Sequence, residues 1–172
     1  MRQPGTALLN VATPEQMQAL GREIGTAIDA AAGAFIVGLE GELGAGKTTL
    51  VGGILRAWGI TGPVRSPTYT LIEPYAAAGK HIYHLDLYRL VDPGEVEPLG
   101  IRDLLEPGAV LLIEWPSRAV GALPGFDLTI DIDYAVAPAV GRQVTLTGHS
   151  SLGTNAVRRI VAAIPELHLL SS

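Results

Sequence analysis

The clearest chemistry in the sequence lies in eight consecutive residues: Gly41-Glu42-Leu43-Gly44-Ala45-Gly46-Lys47-Thr48 fits G-x-x-x-x-G-K-[ST] at every position. Glycines at this spacing let successive backbone N–H groups turn inward around a diphosphate without Cβ clashes. A helix starting at the lysine would aim its positive end at the same anion. Lys47 would reach the β- and γ-phosphates as a point charge, the Thr48 hydroxyl would ligate Mg²⁺, and Thr49 would add a hydroxyl near the α-phosphate. A plain glycine-rich turn has the same composition. Against that reading, the pattern takes one of only two lysines, Lys47 and Lys80, among twelve basic residues.

Hydrolysis needs an acid beside the phosphates. Ala109-Val110-Leu111-Leu112-Ile113-Glu114 is an apolar strand ending in a carboxylate, where a magnesium-holding acid would sit at the carboxyl end of a neighbouring parallel strand. Glu114 is the candidate for that role, directly or through water, and a solvated strand-end Glu is the plainer reading. The second acid is Asp86 in His84-Leu85-Asp86-Leu87-Tyr88-Arg89. Alternation puts Ile82, His84, Asp86 and Tyr88 on one face and Tyr83, Leu85 and Leu87 on the other. Asp86 is a candidate for orienting the attacking water or the magnesium shell. His84 alone reads as a structural histidine. Arg65-Ser66-Pro67-Thr68-Tyr69-Thr70 reads from composition as an ordinary turn, although a loop Thr such as Thr68 can sense a γ-phosphate.

These residues need elements to hold them. Apolar residues at helical spacing from Thr13 to Ala32, with Thr13-Pro14-Glu15 as a start signal, predict a first helix. Phe35 to Leu39 is a short unbroken apolar run, as in a strand covered on both faces, and Lys47 to Trp58 reads as a helix ended by Gly59. Further strands are expected at Thr70 to Pro74, His81 to Tyr88, Val110 to Ile113, Leu128 to Tyr134 and Gln143 to Thr147. A closing helix is expected from Asn155 to Ile164. The last two strands form a hairpin around the small-residue loop Ala135 to Gly141, and Ala76 to Gly79 is a second loop. Together these predict an α/β fold resembling P-loop NTPases, with a central mostly parallel sheet, flanking helices and a C-terminal antiparallel hairpin.

At 172 residues and 18.0 kDa the chain fits one domain, 1–172. Hydrophobic residues at 48% and charged residues at 17% exclude a disordered chain. A net charge of −5 disfavours DNA coating, so contact with nucleic acid must be local or relayed. The absence of cysteine excludes disulfides, thiolate zinc sites and a Cys nucleophile. No signal peptide or membrane span of roughly 20 apolar residues is visible, and the expected location is cytoplasmic. From Asp86 to Glu106 six acids face only Arg89 and Arg102, in a segment without an obvious core pattern: a solvated face or a protein-docking surface.

Five segments in register resemble the TsaE (YjeE) family: Gly-Glu-Leu-Gly-Ala-Gly-Lys-Thr-Thr at 41–49, Ser-Pro-Thr-Tyr-Thr-Leu at 66–71, His-Leu-Asp-Leu-Tyr-Arg-Leu at 84–90, Leu-Gly-Ile-Arg-Asp at 99–103 and Ile-Glu-Trp-Pro at 113–116. The resemblance covers about residues 13–134, while the C-terminal hairpin and helix, about 126–165, depart from it after about Ala135. It implies a small Mg²⁺-dependent ATPase; if the acidic segment is a docking surface, its activity without partners should be low. Such an ATPase acts with the TsaB–TsaD pair in forming threonylcarbamoyladenosine in tRNAs that read codons starting with A. TsaD is the transferase and the ATPase resets the complex for repeated turnover, so tRNA is met through the partners. By motif, Leu43, Gly44, Ala45, Gly46, Lys47 and Thr48 would bind the phosphates of ATP or ADP, Thr48 and Glu114 would ligate Mg²⁺, and Asp86 would support hydrolysis. Thr68 would lie in a nucleotide-sensing loop, Trp115 would lie against nucleotide or partner, and Thr13 would belong to the adenine-side N-terminal segment. The competing expectation is a small-molecule or nucleoside kinase, which shares the loop but needs an arginine-rich lid. The segment after the second helix carries only Arg65.

Overall fold

The computed structural model describes residues 5–137 and 140–167. Seven strands join in one sheet: β1 (Thr6–Val11), β2 (Phe35–Gly41), β3 (Ile72–Ala77), β4 (Lys80–Asp86), β5 (Ala109–Glu114), β6 (Leu128–Tyr134) and β7 (Arg142–Gly148). Three α-helices accompany them: α1 (Pro14–Ala27), α2 (Lys47–Ala57) and α3 (Ser151–Ala163). The strand order is β1-β7-β6-β2-β5-β4-β3. The middle four, β6-β2-β5-β4, run parallel, while β3, β7 and β1 pair antiparallel at the two sides. The expected α/β sheet with its C-terminal hairpin is therefore present. Pro138 and Ala139 of the expected loop Ala135 to Gly141 lie outside the described residues.

Alternation assigns the faces. Phe35, Val37 and Leu39 of β2 pack with Ile82, Ile130 and Leu146 under α1, α2 and α3. The opposite parity, Ile36, Leu85, Leu111 and Ile113, packs under short 3-10 turns, with Leu90, Val96 and Ile101. The acidic segment thus has a core pattern that its sequence conceals: Leu87, Leu90, Val96 and Ile101 face inward, Asp86 is buried, and the other five acids face solvent. Two of those acids cap a 3-10 turn, Asp92 Oδ1 accepting from Gly94 N at 2.7 Å and Glu95 Oε2 from Asp92 N at 2.9 Å.

Helix α1 ends at Ala27, short of the expected Ala32. The chain leaves because Asp29 Oδ1 accepts from Ala31 N at 3.0 Å and Ala30 O accepts from Gly108 N at 2.8 Å, tying the segment below β5. β3 begins at Ile72, because Leu71 takes a left-handed φ of 66° and its N–H closes a turn onto Pro67 O at 2.7 Å. Its hairpin with β4 turns on Ala78 and Gly79, both at positive φ, so Ala76 and Ala77 are strand residues. β1 was not expected, although Ala7, Leu9 and Val11 alternate inward as a strand requires.

Helices α1 and α2 meet glycine to glycine. A Cβ on Gly53 would lie 2.3 Å from Gln18 O, and one on Gly21 2.4 Å from Leu50 O, so only hydrogens fit there. Alanine gains about 1 kcal/mol of helix propensity over glycine. The clash is with backbone and cannot be relieved by a rotamer. We expect Gly53→Ala to cost about 2 kcal/mol net in urea unfolding.

Candidate nucleotide site

The parallel registers bring three chain segments side by side at the carboxyl end of the sheet: Leu39 pairs with Glu114, and Glu114 pairs with Asp86. The glycine loop leaves β2 at that level and enters α2 at Lys47. Gly46, preceding the helix, has φ 117° and carries no side-chain cap. That backbone conformation is what favours glycine there; a Cβ would also lie 3.2 Å from Met17 Cε, a contact the flexible methionine can yield. The result is a cavity of about 330 Å³ lined by Leu43, Gly44, Gly46, Lys47, Thr48, Thr49, Ser66, Thr68, Asp86, Tyr88, Glu114 and Trp115. Ala45 does not line it. Its methyl is buried and its N–H donates to Glu42 O within the loop.

Lys47 is 5% exposed, and its Nζ donates to Gly41 O at 2.5 Å and Glu42 O at 3.0 Å. Nζ also lies 4.4 Å from the centre of the Trp115 ring. Burial lowers the ammonium's affinity for its proton, and Glu114, then Glu40 and Asp86, act against that. Lys47 is thus a largely buried cation held by backbone carbonyls and an aromatic face. Trp115 holds its place with φ 58°, its N–H donating to Leu39 O at 3.0 Å, and its ring 5.0 Å from that of Tyr88.

The acids are buried, Glu114 at 2% and Asp86 at 5% exposure, so the solvated strand-end reading does not apply to Glu114. Glu114 Oε1 accepts from Thr48 Oγ1 at 3.4 Å. Its Oε2 lies 2.5 Å from Nε2 of fully buried His84 and accepts from Ser66 Oγ at 3.5 Å. The carboxylate opposite assigns the donated proton to Nε2. His84 Nδ1 has no hydrogen-bond partner. Asp86 Oδ2 accepts from Ser66 Oγ, and Oδ1 accepts from Tyr88 N at 3.0 Å, turning the chain out of β4. Ser66 therefore links both acids, and Thr68 sits beside it in the cavity. Sequence reading undervalued two of these residues. His84 contacts Glu114 across a strand pair, which no local pattern reveals, and Ser66 was overshadowed by Thr68 in the same loop.

Thr13 lies apart from the acids. Its hydroxyl caps α1 by accepting from Gln16 N at 3.2 Å, and it lines a second cavity of about 150 Å³ with Met17, Gly46, Thr49 and Arg142. Only the loop and Thr49 join the two spaces. Arg142, beyond the span of the sequence resemblance at about residues 13–134, was missed: Nε donates to Ala45 O at 3.0 Å and Nη2 to Gly44 O at 3.3 Å, bracing the loop from behind. Its guanidinium lies 4.1 Å from the Tyr134 ring centre.

The donors fit magnesium in kind. Thr48 and Glu114 present a hydroxyl and a carboxylate, both hard oxygens, with Asp86 adjacent through Ser66. No group of three His, Asp or Glu poised for a metal occurs among the described residues. Magnesium does not need one, because one or two carboxylates plus substrate phosphates and waters complete its shell.

A glycine loop entering a helix, beside two buried strand-end acids on a parallel sheet, defines a P-loop α/β fold of the nucleotide-binding class. The crystal structure of YdiB from Bacillus subtilis has the same fold, with a TM-score of 0.70 and 26% identity over 92% of this chain and 95% of that one. The sequence model of the family "Threonylcarbamoyl adenosine biosynthesis protein TsaE" matches residues 11–144, Arg142 included. The tRNA threonylcarbamoyladenosine biosynthesis protein TsaE of Haemophilus influenzae is 48% identical over 124 residues, 72% of this chain and 77% of that protein. The protein of that name from Streptomyces coelicolor is 36% identical over 137 residues, 77% and 90% of the two chains. The chain belongs to the TsaE family.

Proposed function

We propose that this protein is a Mg²⁺-dependent ATPase that serves tRNA threonylcarbamoyladenosine formation as an accessory to the TsaB–TsaD pair. The observation that carries the ATPase reading is the convergence of Lys47, Thr48, Asp86 and Glu114 on one cavity, with Ser66 linking the two acids. Loop amides and Lys47 bind the phosphates, and Thr49 stands toward the α-phosphate and the smaller cavity. Thr48 and Glu114 hold Mg²⁺, which when bound neutralises charge on the phosphate oxygens. Asp86 orients the attacking water and is itself held by Ser66 and the Tyr88 amide. His84 keeps the Glu114 carboxylate in one orientation. Thr68 reports on the γ-phosphate from the loop that Ser66 anchors.

The accessory role rests on family membership and on charge. With a net charge of −5 the protein suits work on the enzyme that holds the RNA, with tRNA reached through TsaB and TsaD in the cytoplasm. Among the described residues no helix is long and apolar enough to cross a membrane. The kinase reading gains nothing from the site. Among the described residues no arginine lines the Lys47 cavity; Arg89 stacks 4.4 Å over Tyr69 and Arg118 lies 5.5 Å from the Trp115 ring.

Reconstitution tests the role directly. Adding this protein and ATP to purified TsaB and TsaD, with a threonylcarbamoyl donor and tRNA both in excess, should raise the yield of modified tRNA well above one equivalent per TsaD. An unchanged multiple-turnover yield would sink the accessory reading.

A further inference from the structure

One half of the sheet is covered on one face only. Along β2 and β6 the residues facing away from the helices pair in rows, Gly38 with Thr129 and Glu40 with Asp131. These rows continue into β7 as Thr147 and Thr145. Helix α3 packs on the other face, through Ala156, Val157 and Ile160. The strands on this side, β6, β7 and β1, pair antiparallel, and such a sheet can leave one face to water, so only the chemistry of the face says what it binds. The bare rows floor a groove of about 690 Å³, larger than either nucleotide cavity, walled by the turn Pro116–Ala119, by Phe126 and by His149.

The chemistry of the groove narrows the occupant. Gly38 lets Phe126 approach the sheet closely, since a Cβ there would sit 3.1 Å from its ring. Glu40 is held in place by Ser117, whose N–H and Oγ donate to it at 3.1 and 3.0 Å. Thr129 Oγ1 and His149 Nε2 satisfy each other at 2.8 Å. Asp131 is left: the one ion pair among the described residues is His84 with Glu114. Burial, then Asp133 and Glu40, push the Asp131 carboxyl above its ordinary range, with His149 acting against them. A phosphate backbone would be repelled here. An apolar helix would bury carboxylates and hydroxyls without partners. The described residues offer no poised metal-binding trio. A planar cation on an aliphatic stem satisfies everything: its guanidinium meets Asp131 and Glu40, and its face and stem lie on Phe126.

We propose that this groove is a docking site for an arginine-bearing segment of the protein complex this ATPase serves, with Asp131 as the principal anchor. The inference rests on the accessory role proposed above and adds the surface and the partner chemistry.

Calorimetric titration of the full chain into the TsaB–TsaD heterodimer, with ATP present, tests it. Wild type should bind, more weakly as NaCl rises from about 50 to about 300 mM. Asp131→Asn should weaken binding about tenfold and Asp131→Arg at least a hundredfold, with ATP affinity unchanged. Misfolding does not confound the Asn variant. The folded state holds the Asp131 proton more tightly than the unfolded chain does, so ionised Asp131 lowers stability above its raised pKa. Asparagine removes that penalty and should be at least as stable at neutral pH. Glu97→Arg, on the exposed acidic segment, should bind within about twofold of wild type. If wild type binds and both Asp131 variants bind equally well, the docking site is overturned and the accessory role stands. A large loss in Glu97→Arg alone would move the contact to the acidic segment and overturn it too. If wild type does not bind the pair at all, the accessory role fails and takes this site with it.

Discussion

Lys47→Ala should abolish measurable ATP binding, raising the dissociation constant by about 10²- to 10³-fold in an equilibrium titration with a fluorescent ATP analogue. Two effects act in the same direction. The ammonium is nearly buried, so its attraction for phosphate is weakly screened, and its removal leaves the anion facing Glu114, Asp86 and Glu40 without the charge that offsets them. It also leaves Gly41 O and Glu42 O without the donor that holds the loop. Lys47→Arg separates the two contributions. It keeps the charge but its planar fork does not fit between two carbonyls and the Trp115 ring, so binding should recover only in part. ATP affinity within threefold of wild type in Lys47→Ala would mean that the loop amides alone do the binding, and the role given to Lys47 would fall.

How much of this was legible in the sequence follows from which interactions are local. The glycine loop and helix α2 could be read because phosphate chemistry imposes both residue type and spacing over eight positions. Asp86 could be placed because period-two alternation is local, and Leu85 of β4 and Leu87 just beyond its end do point away from it into a second core. What alternation cannot supply is register between strands. The Glu114–His84 contact exists because β4 and β5 pair Asp86 with Glu114, and the sequence of either strand is silent on that. The same reason hid β1, whose partner β7 lies more than a hundred residues away, and Arg142, which reaches the loop only because β7 turns back beside β6. The acidic segment misled in a different way. Its inward residues, Leu90, Val96 and Ile101, are spaced for irregular 3-10 turns, which follow neither helical nor strand periodicity.

Glu114→Gln should lower ATP turnover by about 10²- to 10³-fold while leaving ATP affinity, measured in EDTA, within about threefold of wild type. Glutamine keeps an oxygen for Thr48, and its amide can donate to His84 Nε2 once the ring proton moves to Nδ1, so the buried site stays filled. Alanine would strip His84 Nε2 of its partner in addition to leaving Nδ1 unpaired, adding the cost of burying a wholly unsatisfied ring. The isosteric change therefore isolates the charge. If Glu114 holds magnesium, the loss should be partly offset at high Mg²⁺, because the substrate phosphates and Thr48 remain as ligands. Asp86→Asn is the contrast: an acid that orients water should lose turnover without any such rescue, since its partners Ser66 and the Tyr88 amide are unaffected by the metal. Undiminished hydrolysis in Glu114→Gln would remove Glu114 from the metal shell, leaving it a buried partner of His84 whose function is to hold β4 against β5.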